Sequence, residues 1–352
     1  MKRTIALAIG IALIASLAVA QAIPDKITRH NGPIKIAVIR NLGSDDHTNQ
    51  FLAGAKEEGE SFGFKVDTFI TNGDDAKFQD YANLILSQNY DGVILSHGNA
   101  PYSIDLVKKF VAKGMSVVCF DTVFDGTVSG VTKTSQKDES LAQMSIGQMI
   151  KDFGGKASIF KLWVAGFAPM ERRQVIYKDL LAKNPGINEL ELIGAVSSDV
   201  PGDTANKVGA ALAKYPKGKI QAIWASWDAF AEGADKALKE NGRTEIKLYG
   251  IDVSNQDLQL MQEPNSPWVC TAAVDPKLIG RVDMRLIAKK VAGESTPDIY
   301  ELPAALIKQS DLKKSATPVT MVTLANIIPG WGMSKDFDEP WMAALRAKYG
   351  KK

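Results

Sequence analysis

Short apolar segments alternate with amphipathic helical segments along most of the chain, and this alternation constrains the fold more than any other feature. The first run predicts the strands IKIAVIRN (34–41), FKVDTFI, YDGVILS and SVVCFD, with the helices TNQFLAGAKEEGESFG (48–63), AKFQDYANLILSQ and PYSIDLVKKFVAKG between them. Apolar strands of this length, separated by amphipathic helices, are typical of a parallel sheet that is covered on both faces.

A second run of the same kind follows after residue 133. It predicts the strands KASIFKLWV, LELIGAVS, IQAIWA, EIKLYGID and WVCTAAV, again separated by helices. The sequence therefore predicts two α/β units of similar size, roughly 34–130 and 133–270, each with its own sheet. The last fifty or so residues are less regular, and we expect one or two strands and a terminal helix there.

The N-terminus has the three parts of a secretory signal peptide. Lys2 and Arg3 precede an apolar stretch, and the small-x-small cleavage site AQA (20–22) follows it. We therefore expect residues 1–22 to be removed and the mature chain to be exported to the periplasm. Removal takes two basic residues and no acidic one from totals of 42 and 40, so the mature chain is balanced in charge. No basic run indicates nucleic acid or a membrane surface as a partner.

Polar side chains are concentrated where the predicted strands end. The loops NLGSDDH, SHGNAP, FDTVFD, VAGFAPMERR, ASWDA and GIDVSNQD all follow a strand. Ligands of open parallel sheets bind beyond the carboxyl ends of the strands, so we expect the loops of the two units to face each other across a cleft. Asp45, Asp46 and His47 also suit a metal or acid–base site, but the sequence has no HExxH or GxSxG motif of a hydrolase.

The order and spacing of these segments resemble those of exported sugar-binding proteins of ABC importers, the ribose- and galactose-binding type of the type I periplasmic binding proteins. The similarity runs from about Ile34 to about Leu306. The segment IQAIWASWDAFAEGADKALKENG, followed by IKLYGID, matches the family pattern most closely. The resemblance implies an α/β fold of two Rossmann-like lobes with parallel sheets, a hinge of three crossing strands and a ligand cleft between the lobes.

The resemblance also implies how the chain is divided. The first lobe would comprise residues 34–132 and 275–302, and the second lobe residues 133–274 and 303–352. Cys119 and Cys270 would then lie in different lobes, and a disulfide between them would oppose opening of the cleft. We therefore expect free thiols.

The family's ligand-binding positions can be placed on this sequence. Asp121, Arg173 and Asp252 match polar positions of the family, and the other candidates stand beside matching positions or replace family residues. The candidate ligand-binding residues are Asp45, Asp46, His47, Asp121, Thr122, Arg172, Arg173, Trp227, Asp228 and Asp252. Asp45, Asp46 and Asp228 also precede predicted helices, where each could serve as a helix cap instead. The roles of Phe167 and His97 stay open, and Trp224 is expected in the core.

Function follows from the resemblance and from the chemistry of these residues. We expect a monomeric binding protein, not an enzyme, with no catalytic residue, metal or cofactor, that delivers a neutral sugar or polyol to an ABC transporter permease. Carboxylates accept and a guanidinium donates hydrogen bonds to hydroxyl groups, while several carboxylates disfavour an anionic ligand. The fold also suits an autoinducer-like or amino-acid-like ligand or a periplasmic sensor input, and a secreted hydrolase is less favoured. Arg173→Ala or Asp252→Ala is expected to abolish binding with little loss of fold.

Overall fold

The strands and helices of a computed structural model follow the predicted alternation. The structure describes residues 22–43, 46–194, 197 and 199–350. Within these residues the strands are β1 (Lys35–Arg40), β2 (Lys65–Ile70), β3 (Gly92–Ser96), β4 (Ser116–Phe120), β5 (Val131–Gln136), β6 (Lys156–Leu162), β7 (Gly186–Ile193), β8 (Ala222–Ala225), β9 (Lys247–Ile251), β10 (Trp268–Ala273), β11 (Ile299–Leu302) and β12 (Ala305–Lys308).

Helices connect most of these strands. They are α1 (Asp25–Thr28), α2 (Asp46–Ser61), α3 (Asp75–Ser87), α4 (Ala100–Ala112), α5 (Asp138–Asp152), α6 (Ala168–Lys183), α7 (Val200–Leu212), α8 (Asp228–Glu240), α9 (Asn255–Gln262), α10 (Pro276–Ala292), α11 (Gln309–Leu312) and α12 (Pro340–Tyr349), with a 3₁₀ turn at Leu324–Asn326. In the described part of the chain, no helix is both long and apolar enough to span a bilayer.

The strands form two six-stranded sheets. The first sheet has the order β11-β5-β4-β3-β1-β2, and the second has the order β12-β10-β9-β8-β6-β7. Within the described residues, the paired strands of both sheets run parallel except β10 and β12, which are antiparallel. Central strands are buried on both faces, as in β3, because helices cover both sides of each sheet. The predicted fold class of two α/β lobes is therefore confirmed.

Helix α10 follows the second sheet along the chain but packs on α2 of the first lobe. The two helices approach closely at Gly54 and Gly280. A Cβ atom at Gly54 would stand 2.0 Å from the carbonyl oxygen of Lys277, and one at Gly280 would stand 2.1 Å from that of Phe51. The absence of a side chain at these two glycines therefore permits the close contact of α10 with α2, which places α10 in the first lobe.

The predicted lobe limits differ from the observed elements in two places. Strand β5 stays in the first sheet up to Gln136, so residues 133–136 lie there and not in the second lobe. Helix α12 carries the end of the chain back to the first lobe, where Trp341 and Leu345 are buried and Arg346 pairs with Glu58 of α2. The reason is apolar burial, since α12 covers a face of α2 that would otherwise meet water.

The two cysteines lie in different lobes, Cys119 in β4 and Cys270 in β10. Both are buried and neither forms a disulfide. The expectation of free thiols is confirmed. Burial raises the pKa of both thiols above their ordinary value, so they behave as small apolar core groups and not as nucleophiles.

Candidate functional site

A cavity of about 180 Å³ lies between the lobes. Most of its walls come from residues at or just beyond the carboxyl ends of strands in both sheets, where the topology of parallel sheets places ligand sites. The lining side chains are Arg40, Leu42, His47, His97, Gln136, Val164, Phe167, Pro169, Met170, Arg173, Trp227, Asp228 and Asp252.

Arg173 is the centre of the second-lobe wall. It lies on α6 and is 1% exposed. Its Nε donates to Asp138 Oδ1 at 2.8 Å, its Nη1 donates to Asp252 Oδ2 at 2.9 Å and to the carbonyl of Ser226 at 2.6 Å, and its Nη2 donates to Asp252 Oδ1 at 3.2 Å. Because Asp252 accepts from both terminal nitrogens, the guanidinium plane is fixed in one orientation toward the cavity.

Arg172, which precedes Arg173 in the chain, contacts both lobes. Its Nη2 donates to Asp121 Oδ1 of the first lobe at 2.7 Å and to Asp138 Oδ2 of α5 at 2.5 Å. Burial, followed by the nearby charge of Asp138, raises the pKa of Asp121 to about 7, against the opposing effect of Arg172. The lobes are thus held in contact by a charged pair at one side of the cleft.

Arg40 is the centre of the first-lobe wall. It ends β1, is fully buried, and its Cζ lies 4.8 Å from the centroid of the Phe51 ring. Its Nη1 donates to Ser96 Oγ at 2.8 Å and to His97 Nδ1 at 3.1 Å, and its Nη2 donates to His47 Nδ1 at 3.0 Å. Burial, helped by the charge of Arg40, lowers the pKa of His97 well below its ordinary value, so a neutral imidazole accepts this bond.

Three strand-end residues have left-handed backbone conformations. They are His97 (φ 61°), Asp121 (φ 44°) and Asp252 (φ 72°), which follow β3, β4 and β9. Asp and His tolerate this region better than most side chains, but it is still a minor conformation. Such residues are concentrated at functional sites, and all three here stand at the cleft.

Gln136 projects an unused acceptor into the cleft region. It is the last residue of β5, it lines the cavity, and it is 5% exposed. Its Oε1 is buried and has no hydrogen-bond partner among the described residues. A buried acceptor without a partner is costly, so a ligand donor at this position would relieve a penalty that the free protein carries.

Several predicted residues are brought to this cavity. His47, Arg173, Trp227, Asp228 and Asp252 all line it. Trp227 precedes α8 and meets Phe230 edge to face, with ring centroids 5.6 Å apart. Asp228 Oδ1 also accepts from the backbone N–H of Ala229 at 2.8 Å, which is consistent with a role at the helix start.

Other predicted residues lie at the margins of the cavity or inside the lobes. Asp45 lies outside the described residues. Asp46 begins α2, and its Oδ2 accepts from the backbone N–H of Asn255 at 2.9 Å and from Asn255 Nδ2 at 3.1 Å. Because Asn255 belongs to the second lobe, Asp46 joins the lobes. The ion pair between Arg172 and Asp121 also joins the lobes. Thr122 Oγ1 instead donates to the carbonyl of Leu95 at 2.9 Å, within the first lobe.

Sequence reasoning missed Arg40, Gln136, Met170 and Asp138. The sequence places Arg40 in the first predicted strand. The signal that could have identified it is a charged residue at the end of an apolar run. Asp138 is fully buried at the first turn of α5, and only its position after a strand distinguishes it in sequence. The open residues His97 and Phe167 both line the cavity, and Trp224 is fully buried in the core, as expected.

Two α/β lobes, with a cavity between them that is lined by both polar and apolar side chains, define a bilobed binding protein of the type I periplasmic fold. A family model described as a periplasmic binding protein domain matches residues 36–295. The chain belongs to this family. No protein with a curated description shows significant similarity to it.

Similar solved structures support the same family assignment. A sugar ABC transporter protein from Yersinia enterocolitica is 65% identical, with a TM-score of 0.88, over 93% of this chain and 98% of that chain. A 5-methylthioribose transporter solute-binding protein from Thermotoga lettingae, in complex with 5-methylthioribose, is 29% identical, with a TM-score of 0.84, over 93% and 99%. A Bacillus halodurans solute-binding protein with bound myo-inositol is 19% identical, with a TM-score of 0.71, over 81% and 98%, and shares the fold.

Proposed function

We propose that this protein is the extracytoplasmic solute-binding protein of an ABC importer, and that it captures a neutral sugar or polyol by closure of its two lobes. The observation that carries the proposal is the cleft itself, in which Arg173 and Asp252 of one lobe face Arg40 and Gln136 of the other. Guanidinium, carboxylate and amide groups together supply the donors and acceptors that hydroxyl groups need.

The charges of the cavity lining support a neutral ligand. Two arginines, Arg40 and Arg173, and two acids, Asp228 and Asp252, line the cavity. Both carboxylate oxygens of Asp252 already accept from Arg173, so this charge is satisfied inside the protein. An anionic ligand would add an uncompensated buried charge, whereas a sugar or polyol would not.

Each lining residue has a role in this proposal. Arg173, Asp252 and Gln136 would bind hydroxyl groups from opposite sides, and His47 would add a contact from the first lobe. Trp227 and Phe167 would cover apolar C–H surface of the ligand. Asp46, Asp121 and Arg172 would stabilise the closed arrangement of the lobes, and Asp45 is retained as a candidate contact from the same loop as His47.

The proposal extends to location and partners. The N-terminal signal peptide supports export to the periplasm, and the relatives named as transport proteins support delivery to a membrane permease. The expected working form is a monomer without cofactor, metal or catalytic residue. An autoinducer-like or amino-acid-like ligand, or a sensing role, remains the alternative within the same fold.

A thermal-shift panel of sugars, polyols and amino acids on the mature chain tests the proposal. Binding to the native state raises the melting temperature by an amount that grows with ligand excess over Kd. The expected result is an upward shift with at least one sugar or polyol, and loss of that shift in Trp227→Ala. A panel in which only amino acids shift the melt would overturn the proposal.

A further inference from the structure

The loop between β6 and α6, together with the first turn of α6, gives the cavity an apolar surface. Val164, Phe167, Pro169 and Met170 all line the cavity, and Leu42 of the first lobe adds a fifth apolar side chain. We define Val164, Phe167, Pro169 and Met170 as the apolar wall. The wall is mainly aliphatic, unlike an aromatic platform, which offers a ring face to the C–H bonds of an ordinary sugar.

The apolar wall is held in place by its own polar contacts. Trp163 Nε1 donates to the carbonyl of Met170 at 2.8 Å, and the backbone N–H of Gly166 donates to Glu171 Oε1 at 2.9 Å. Ser226 Oγ donates to the Met170 thioether at 3.2 Å, and the carbonyl of the same Ser226 accepts from Arg173. The apolar wall and the guanidinium that faces the ligand are therefore parts of one fixed unit.

Phe167 is the most exposed residue of the apolar wall. This aromatic side chain is 45% exposed although it lines the cavity. Exposed apolar surface within a cleft is a mark of a binding site, because water leaves it when an apolar group arrives. An unsubstituted sugar would place hydroxyl groups against this surface. The one side-chain acceptor of the wall, the Met170 thioether, is weak and already accepts from Ser226.

We propose that the ligand is a neutral sugar that carries an apolar substituent, such as an alkyl or thioether group, and that the apolar wall binds this substituent. This proposal rests on the proposed function and restricts its ligand to one class of sugar. Arg173, Asp252 and Gln136 bind the hydroxyl groups, while Val164, Phe167 and Met170 contact the substituent. One methylene-sized group in an apolar pocket changes binding by about 10- to 200-fold, so the substituent is expected to dominate selectivity.

Calorimetric titration of the mature chain with matched sugar pairs tests the proposal. The pairs are D-ribose with 5-methylthio-D-ribose, and D-glucose with methyl β-D-glucoside. We expect the substituted member of at least one pair to bind about 10-fold tighter or more than its partner. If the plain sugars bind as tightly as their substituted partners, the apolar-substituent proposal fails and the sugar-binding function stands. If no sugar of either pair binds but another unsubstituted sugar or polyol shifts the melt, the apolar-substituent proposal fails and the sugar-binding function stands. If no sugar or polyol of the panel binds, both fail.

Variants of the apolar wall separate a substituent contact from a general loss of fold. Val164→Thr keeps the shape of the side chain and adds a hydroxyl, and Phe167→Ala removes the exposed ring. Both are expected to weaken binding of the substituted sugar about 10-fold and to weaken binding of the plain sugar clearly less, because only the substituent depends on the apolar wall. Val175→Thr on α6 and Leu192→Ala on β7 are matched controls, because both residues are exposed outside the cavity lining. Equal losses for both sugars in the wall variants would overturn the proposal.

Discussion

The two walls of the cleft each present a buried arginine, and the described contacts of the two arginines differ. In the second lobe, Arg173 is held by the carboxylates of Asp138 and Asp252. In the first lobe, Arg40 donates to the hydroxyl of Ser96 and the imidazole of His97 and lies over the Phe51 ring. Removal of a charge that pairs with buried carboxylates leaves charge buried without its partner. Hydrogen bonds to a hydroxyl and an imidazole contribute about 0.5–3 kcal/mol each.

The largest effect is expected from Arg173→Met. Removal of the guanidinium leaves Asp252 buried without its arginine partner and Asp138 with Arg172 alone, so we expect a loss of about 3–5 kcal/mol in the free energy of unfolding. This revises the expectation of little loss of fold for a change at Arg173, because the side chain is 1% exposed. Ligand affinity should fall at least 100-fold. Urea denaturation and calorimetric titration measure the two effects.

Arg243→Met is the matched control for that variant. Arg243 is also buried, but its partner Glu245 has a side chain that is 41% exposed, so water can solvate the carboxylate that remains. We expect a smaller loss of stability and unchanged affinity. An Arg173→Met protein as stable as wild type would refute the claim that the second wall is held by a buried ion-pair network.

A smaller effect is expected from Arg40→Lys in the first wall. Lysine keeps the charge but lacks the planar fork that reaches Ser96, His97 and His47 together. We expect affinity to fall about 10-fold and stability to fall by about 1–2 kcal/mol, which is the scale of one or two lost hydrogen bonds. Calorimetric titration and urea denaturation measure both. Arg243→Lys, away from the cleft, should leave affinity unchanged; if Arg40→Lys does the same, Arg40 is not part of the ligand site.

Asp46→Ala tests how the walls are held together. Asp46 does not line the cavity, but it accepts two hydrogen bonds from Asn255 across the lobes. We expect a 3- to 10-fold loss of affinity, roughly the scale of one or two exposed hydrogen bonds, seen mainly as faster dissociation in stopped-flow fluorescence. Asp46→Asn keeps an acceptor oxygen and should lose less. Wild-type dissociation in Asp46→Ala would mean that this contact does not stabilise closure.

The last prediction is a pH dependence that comes from a buried acid behind the first wall. Asp283 on α10 accepts from Thr134 Oγ1 at 2.8 Å, and burial raises its pKa to about 8. An acid whose folded-state pKa is raised stabilises the fold at low pH and loses that contribution as pH rises toward the folded value. Asp283→Asn cannot ionise, so its stability relative to wild type should rise by about 1.4 kcal/mol for each pH unit between about pH 5 and about pH 7. A stability difference that is flat over this range, measured by urea denaturation, would contradict the raised pKa.

The arrangement of strands and helices was accessible from sequence because it is encoded locally. Alternating apolar strands and amphipathic helices have different periods, and their repeated order restricts the topology to parallel sheets. The predicted positions of Arg173 and Asp252 came from the family resemblance, and both line the cavity. The strand and helix pattern is a local signal, whereas the resemblance depends on the order and spacing of several segments.

The missed features depend on contacts between residues that are distant in sequence. Asp46 and Asn255 are 209 residues apart, so nothing near Asp46 indicates that it joins the lobes. Arg40 ends an apolar strand, where an arginine is usually placed in water, and only the fold shows that Ser96 and His97 enclose it. The return of α12 to α2 likewise depends on which apolar face the rest of the fold leaves open.

Small-angle X-ray scattering of the mature chain tests most directly whether the two walls close on a sugar. The measurement compares the free protein with the protein saturated by the sugar or polyol that gives the largest thermal shift. Closure brings the lobes together through contacts such as Arg172 with Asp121, so the radius of gyration should fall on saturation. Arg40→Lys should show the same fall at a higher ligand concentration. A saturated wild-type protein that scatters like the free protein would contradict ligand capture by closure of the cleft.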